Sequence, residues 1–308
     1  MEKIEKEITK ICKNFSRNFP LKNITSFRTG GNARYIVFPS TYNEIVNLFS
    51  LCKKYKLPFF IIGKGTNILV SDDGLDGIVI STLRMRKINM EKEEIICEAG
   101  VSISKLLKKC IENSLTGLEF LSGIPGTVGG AIVSNAGLKK EWIMEKVKKV
   151  EVILPEKGEN ETIEKGKINY GYRRSGLENY FIYRVFFKLE KKERKEIKEK
   201  VKNYMMERKK KQPMGEFCAG SIFKNPPGLF AGELIEKCGL KGYSIGDAVI
   251  SEKHANFIIN KGNATSSDIY KLILFIQKKV KEKYGIDLEP EIKLLGPFPV
   301  KPGLSNRV

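Results

Sequence analysis

The sequence predicts a protein of mixed helices and strands in two domains, and three observations carry that prediction. Its 308 residues make about two domains at roughly 150 residues each. Amphipathic helical stripes alternate along the chain with short apolar runs of strand length. A basic stretch, residues 188–211, holds twelve Lys or Arg against five Glu, and the chain turns glycine-rich beyond it. The boundary is therefore placed near residue 200, with the smaller domain following it. A hydrophobic fraction of 41% allows a sizeable core and excludes wholesale disorder.

The elements follow in order. Ile45, Leu48, Phe49, Cys52 and Tyr55 share one face of a helix over 42–56. Leu57-Pro58 ends it, and Phe59 to Ile62 read as a buried strand. After Gly63-Lys64-Gly65-Thr66-Asn67 comes a second strand, Ile68 to Val70. Ser102 suits the cap of a helix carrying Ile103, Leu106, Leu107, Cys110 and Ile111, which stops near Gly117. Strands are expected at 147–154 and 181–189. Within 188–211, Ile197, Val201 and Tyr204 or Met205 mark a narrow stripe, and Glu190–Arg194 and Glu196–Lys200 are spaced as helical ion pairs. Beyond it we expect a helix near 229–238, a strand from Asn256 to Ile259, and a helix opened by Thr265-Ser266-Ser267-Asp268 and stopped at Gly285. A last strand runs from Glu291 to Leu295.

Charge narrows the chemistry. Fifty-five basic residues against 36 acidic leave +19, which attracts polyanions: nucleic acid, acidic membrane or phosphorylated small molecules. The 188–211 run reads as a solvated connecting helix, with a nucleic-acid patch as the alternative; it carries no interleaved row of aromatic stacking platforms. Six cysteines at 12, 52, 97, 110, 218 and 238 form no C-x-x-C pair, and one histidine, His254, is poor material for a zinc site. The N-terminal residues mix acids and bases with no apolar signal core, and no stretch approaches the roughly 18 apolar residues of a membrane span. These features read as a reduced, cytoplasmic, soluble protein.

Two glycine-rich loops stand out. Gly63-x-Gly65 follows a strand, but Ile68 occupies the last glycine of the dinucleotide fingerprint and a strand follows where a helix belongs. What remains is a tight strand–loop–strand turn, read alone as a plain hairpin turn, with an anion-binding nest of backbone N–H groups beside Lys64, Thr66 and Asn67 as the alternative. The second loop, Gly123-Ile124-Pro125-Gly126-Thr127-Val128-Gly129-Gly130, leads to Asn135-Ala136-Gly137. A helix starting near Gly126 would aim free N–H groups at a pyrophosphate, whereas close packing of strand on helix is the alternative. Two such loops, neither of Rossmann form, point to a nucleotide cofactor held by a different fold.

Seven stretches in order then resemble the UDP-N-acetylenolpyruvoylglucosamine reductase family, flavoenzymes that complete UDP-N-acetylmuramate for the bacterial cell wall. They are 23–31, 63–70, 117–137, Tyr170-Gly171-Tyr172-Arg173-Arg174-Ser175, 219–226, Lys253-His254-Ala255-Asn256-Phe257 and Glu289-Pro290-Glu291. The resemblance implies an α+β fold: an FAD-binding module of the vanillyl-alcohol-oxidase (PCMH) type over 1–200, in subdomains of about 1–81 and 82–200, and a C-terminal α+β substrate-binding domain over 201–308. It implies hydride transfer from NADPH to FAD, and from flavin N5 to the enolpyruvyl group of UDP-N-acetylglucosamine-enolpyruvate.

Roles carry over by position. Ser221 matches the proton donor, and Arg173 and Glu291 match the other catalytic positions. Gly63, Lys64, Gly65, Thr66, Asn67, Gly123, Ile124, Gly126, Thr127, Gly130 and Gly137 match the flavin site. Lys211, Lys224, Asn225, Tyr243 and His254 match substrate contacts. The chain resembles the shorter branch, which lacks a tyrosine-loop insertion; Leu138-Lys139-Lys140 replaces the family's usual Ala-Tyr-Gly, and Asp247 stands where glycine is usual. Some relatives in the wider flavin fold tether FAD through histidine; the flavin module here has none, so dissociable, non-covalent FAD is expected. No nucleic acid is expected as a partner. The rivals are another flavin oxidoreductase of the same fold and a basic nucleic-acid-binding protein.

Overall fold

A computed structural model describes residues 2–138 and 141–299; Met1, Lys139, Lys140 and residues 300–308 lie outside them. Two compact units emerge. The first is Met1–Arg17, Tyr35–Lys64 and Gly77–Met214; the second is Asn18–Arg34, Gly65–Asp76 and Gly215–Val308.

A four-stranded sheet, most of whose residues belong to the first unit, orders Phe15–Pro20, Asn32–Val37, Leu75–Ser81 and Phe59–Ile62, whose outer strand runs parallel to its neighbour with Phe59 opposite Ile78. Helices α1 (Glu2–Ile11) and α2 (Tyr42–Tyr55) bury Ile8, Ile45, Leu48 and Phe49 with Tyr35 and Ile80 of the sheet. A capping box between Thr41 and Glu44 fixes the start of α2, and Lys56 closes it in the left-handed region. The N-terminal helix α1 was not anticipated, although Ile4, Ile8 and Ile11 are spaced to share a face.

A second, antiparallel sheet of five strands orders Glu159–Glu164, Val147–Leu154, Phe181–Lys188, Glu94–Glu98 and Ile88–Glu91. Its core takes in α3 (Ile103–Glu112) and α4 (Val128–Val133). Ser102 caps α3 as expected, accepting from Lys105 N at 3.2 Å. The helix ends at Glu112, well before Gly117, because Ser114 turns left-handed and the buried Leu115 begins a short strand paired with Glu190–Lys191. That strand removes Glu190 from α5 (Arg194–Lys211), so the Glu190–Arg194 helical pair does not form, and Glu196 pairs with Lys192 at 2.9 Å in place of Lys200.

The second unit has a three-stranded antiparallel sheet of Ser244–Ile245, Ala248–Ile250 and Ile258–Asn260, with α6 (Ala231–Lys237) and α7 (Ser266–Tyr284). Thr265 and Asp268 form the expected capping box, and Gly285 ends α7 at φ 70°. Ile68–Val70 pairs in parallel with Lys293–Leu295. The expected strand at 256–259 starts two residues later, at Ile258, because Asn256 is committed to another loop. The last strand likewise begins at Lys293 rather than Glu291.

Polar side chains tie the early segments of this unit to its late ones, the buried Asn260 among them. Asn260 Nδ2 donates to Phe27 O at 2.8 Å, while its Oδ1 accepts from Gly262 N and Ala264 N. The Asp72 carboxylate accepts from Ser266 N at 2.9 Å and Ser267 N at 2.8 Å, joining the first turn of α7. Asp247, the unusual residue in its hairpin, accepts from Asn263 N at 2.9 Å.

Candidate active site

Within the first unit the two glycine loops meet. A Cβ on Gly63 would lie 2.5 Å from Thr127 Oγ1, so glycine is needed for the close approach. Thr127 caps α4, its Oγ1 accepting from Gly130 N at 3.3 Å. The other leading N–H groups are also taken: Val128 N donates to Val101 O and Gly129 N to Ala99 O, both at 2.8 Å. The expectation of free N–H groups aimed at an anion is thereby corrected, because the loop docks as an extra strand-like segment beside Ala99–Val101 and α4 begins two residues after Gly126.

The expected flavin-site glycines separate into two kinds. Gly65 and Gly137 are fixed by protein packing: a Cβ would overlap Ile24 O at the first, and Glu141 O and the Trp142 ring at the second. Gly123 closes on the α5 side chain of Arg208, 2.8 Å from a Cβ. Gly130 differs. It is exposed, and its nearest neighbour would be Thr127 Oγ1 at 3.5 Å, so packing within the protein does not call for glycine there. Lys64 is exposed, and Ile124 N donates to Leu121 O in the turn that opens the second loop.

Arg173 is joined to the Asn135-Ala136-Gly137 stretch. Its Nη1 donates to Gly137 O at 3.3 Å, and its guanidinium lies 5.9 Å from the Trp142 ring centroid and 5.6 Å from that of Tyr172. Asn135, left-handed at φ 41°, donates through Nδ2 to Gly171 O at 2.8 Å and accepts from Met144 N. The expected catalytic arginine thus sits on a turn held by one of the motifs around it.

Sequence reasoning missed Arg208. It donates to Ser122 O at 3.0 Å and Gln212 Oε1 at 3.2 Å. Burial lowers its pKa from the usual value, and the Arg173 charge adds to the effect. In the sequence it looks like one more cation of a solvated run, yet it continues the stripe of Ile197, Val201 and Tyr204. Lys211, expected at the substrate, stays exposed on the last turn of α5, paired with Glu207 at 3.2 Å.

In the second unit three of the matching stretches knit into one site. Asn256 is buried and clasps Phe223 on both sides, accepting from its N at 2.9 Å and donating to its O at 2.8 Å. Ile222 N donates to Asn256 O at 2.9 Å, and Glu291 N donates to Ile222 O at 2.7 Å. Ile222 and Phe223 are buried anchors, so the half-buried Ser221 is presented from a fixed edge, preceded by Gly220 at φ 76°. Among the described residues its hydroxyl makes no hydrogen bond. Asn67, from the first glycine loop, joins the cluster by donating from Nδ2 to Glu291 O at 3.3 Å. Thr66 lies beside it in sequence, and Gly65 O accepts from Ser26 N. Glu291 therefore lies just before the last strand, with its backbone engaged on both sides, and not within that strand.

The expected substrate contacts of this unit carry scaffold bonds as well. Lys224 pairs with Glu289 at 2.5 Å, and Asn225 Oδ1 accepts from Ala231 N at 3.0 Å at the start of α6. Tyr243 stacks on Phe275, centroids 4.4 Å apart, and remains half-exposed. His254 Nδ1 accepts from Asn256 N at 3.2 Å, its ring meets the edge of Phe257, and burial lowers its pKa below 6.5.

Comparison with known proteins accounts for both regions. The FAD binding domain family matches residues 33–164, and the C-terminal domain of UDP-N-acetylenolpyruvoylglucosamine reductase matches residues 212–295. The reductase of Caldanaerobacter subterraneus is 46% identical over 91% of this chain and 93% of its own length. That of Caldicellulosiruptor saccharolyticus is 43% identical over 96% of each chain. The crystal structure of the Thermus caldophilus reductase superimposes with a TM-score of 0.79 at 32% identity, covering 92% of this chain and 98% of that one. The FAD-binding module and the C-terminal domain expected from the motifs are thus present, and the chain belongs to the UDP-N-acetylenolpyruvoylglucosamine reductase family.

Proposed function

We propose that this chain reduces the enolpyruvyl group of UDP-N-acetylglucosamine-enolpyruvate to give UDP-N-acetylmuramate, using NADPH and non-covalently bound FAD. Family membership supports the reaction. The structural observation that supports the catalytic assignment is the bond from Glu291 N to Ile222 O at 2.7 Å, which joins the backbone at one matching residue to the residue next to the other, Ser221.

The residues present fit the cofactor. An exposed glycine at 130, where a side chain would meet nothing closer than Thr127 Oγ1 at 3.5 Å, leaves a backbone surface that a flat ligand can approach. Gly63, Lys64, Gly65, Thr66 and Asn67, with Gly123, Ile124, Gly126, Thr127, Gly130 and Gly137, are the residues we propose to hold it. When bound, FAD supplies the hydride chemistry, taking hydride from NADPH and giving it to the enolpyruvyl double bond.

Addition to that bond leaves negative charge spread into the neighbouring carboxylate. Arg173 offers this charge a planar, permanently protonated donor fork, and Glu291 a carboxyl group that donates a hydrogen bond when protonated. Ser221 gives its hydroxyl proton to the adjacent carbon; a weak acid suffices because the carbanionic carbon is a strong base. Lys211, Lys224, Asn225, Tyr243 and His254 are the proposed contacts to the nucleotide sugar, supported by the basic surplus. We place the enzyme in the cytoplasm, where these nucleotides and its six free thiols are at home. No helix among the described residues is long and apolar enough to cross a membrane. The proposed division is a flavin module over 1–200 and a substrate-binding domain over 201–308.

The test is direct. Purified protein should absorb near about 450 nm and release FAD on heating. NADPH oxidation should depend on the enolpyruvyl nucleotide sugar. A flavin-loaded protein that oxidises NADPH no faster when that sugar is added overturns the assignment.

A further inference from the structure

The hairpin of Gly137–Leu138 and Glu141–Trp142 has a tight construction that the flavin reading leaves unexplained. Trp142 stands opposite Gly137 in register, and any side chain at 137 would run into the Trp142 ring. The carbonyl of the same Gly137 accepts from Arg173, and the same Trp142 ring lies under its guanidinium. Tyr172 completes the wall, meeting Trp142 edge-on at 5.7 Å and 78°. The next residue along, Glu141, accepts a hydrogen bond from the Tyr204 hydroxyl of α5. One turn further on α5, Arg208 is bonded to the Ser122 carbonyl.

The electrostatics call for such a support. Arg208 is largely buried and close enough to Arg173 for the two like charges to interact. Repulsion between the two like charges favours their moving apart. A backbone carbonyl and two aromatic rings beside Arg173 hold it in place without neutralising the charge. The aromatic wall is only as firm as the two-residue strand that carries Trp142, and the Tyr204 hydroxyl fastens that strand to an 18-residue helix. Burial and then the Glu141 hydrogen bond push the Tyr204 pKa up to about 12, so this donor keeps its proton across the working range.

We propose that Trp142 and the Tyr204–Glu141 hydrogen bond form a clamp that positions the Arg173 guanidinium for its work on the substrate carboxylate. Both Trp142 and Tyr204 are positioning residues, acting through Arg173. The inference rests on the catalytic reading of Arg173 given above.

The full-length, FAD-loaded protein allows a test with separate readouts. Trp142 is the single tryptophan of the chain, so intrinsic emission reports the hairpin alone. In Tyr204→Phe, kcat with the enolpyruvyl sugar should fall about tenfold, the scale of a modest misplacement of a catalytic group. The rate at which NADPH bleaches the bound flavin without the sugar should stay at the parent value. Trp142 emission should shift to longer wavelength and become more open to acrylamide quenching. Trp142→Leu should repeat the loss in kcat, and Trp142→Phe, which keeps a ring, should restore most of it; if the leucine variant does not fold, Tyr204→Phe carries the test. Arg173→Lys is the control. Should that variant keep the parent kcat, the role of Arg173 and the clamp fall together. If it loses activity while Tyr204→Phe keeps either the parent kcat or the parent emission, the clamp is overturned and the reading of Arg173 stands.

Discussion

In the second unit Ser221 and Glu291 are placed by backbone hydrogen bonds among Ile222, Phe223, Asn256 and Glu291, whereas in the first unit Arg173 is placed by a carbonyl and two aromatic rings. The two supports suit the groups they carry. A hydroxyl of ordinary acidity has only position to offer, so it needs a narrow one. A guanidinium keeps its charge whatever surrounds it and tolerates broad, soft contacts. It follows that disturbing the second support should cost folding as well as rate, while disturbing the first should cost rate with little folding. The largest expected effect lies at the tip of the stiffer region: Ser221→Ala should lower turnover roughly 10²- to 10⁴-fold, the usual worth of a positioned proton donor. Its melting curve should match the parent, because the lost hydroxyl holds nothing. An alanine variant with parent turnover would remove the proton-donor role and with it the contrast.

Asn256 tests the support itself. Replacing it by leucine leaves the buried N–H and C=O of Phe223 without partners, at a cost of about 2–4 kcal/mol. A denaturant titration should show the midpoint lowered, and turnover should fall with it as the Ser221 edge loosens. A variant that unfolds at the parent midpoint would show that the clasp is replaceable and the two regions are alike. In the first unit the matching change is milder. Thr127→Ala removes a helix cap worth about 1 kcal/mol and gives Gly63 more room. Titration against FAD should then show weaker flavin retention at a nearly unchanged melting temperature.

The same contrast explains what could be read in advance. Elements with local punctuation were legible: α2 from its apolar stripe, and α7 from Thr265, Asp268 and Gly285. So were the motif residues around Ser221, Arg173 and Glu291. What the sequence hid depends on distant partners. Residues 18–34 and 65–76 belong to the second unit because Asn260 reaches Phe27 and Asp72 reaches α7, bonds spanning 233 and 194 residues. Glu291 looked like a strand residue because alternation is local, and the carbonyl of Ile222 that takes its N–H is not. Arg208 was lost in a run of cations, although its spacing from Ile197 and Tyr204 puts it on the face of α5 that carries the buried Ile197. Trp142 gave no signal at all, since a ring beneath a guanidinium follows no periodicity.

The smallest effect concerns proton binding at His254. Its Nδ1 accepts from Asn256 N, and burial is the main reason its pKa lies below 6.5, with the Lys241 charge acting in the same direction. The folded protein therefore favours the neutral ring more than the unfolded chain does. The sign follows from linkage: the stabilisation is complete above the unfolded value of 6.5 and is lost as pH falls from there toward the lower folded value, below which both states are protonated and the loss stops. Protonation at Nδ1 also sets a positive N–H against the Asn256 N–H, so the strain falls on the residue that clasps Phe223. The melting temperature should decline modestly over that acidic window, and His254→Gln should flatten the decline. Because this is the only histidine, its imidazole titration can be followed by NMR without assignment against others. A titration midpoint at or above 6.5 in the folded protein would reverse the predicted slope and separate His254 from the backbone lattice that supports Ser221.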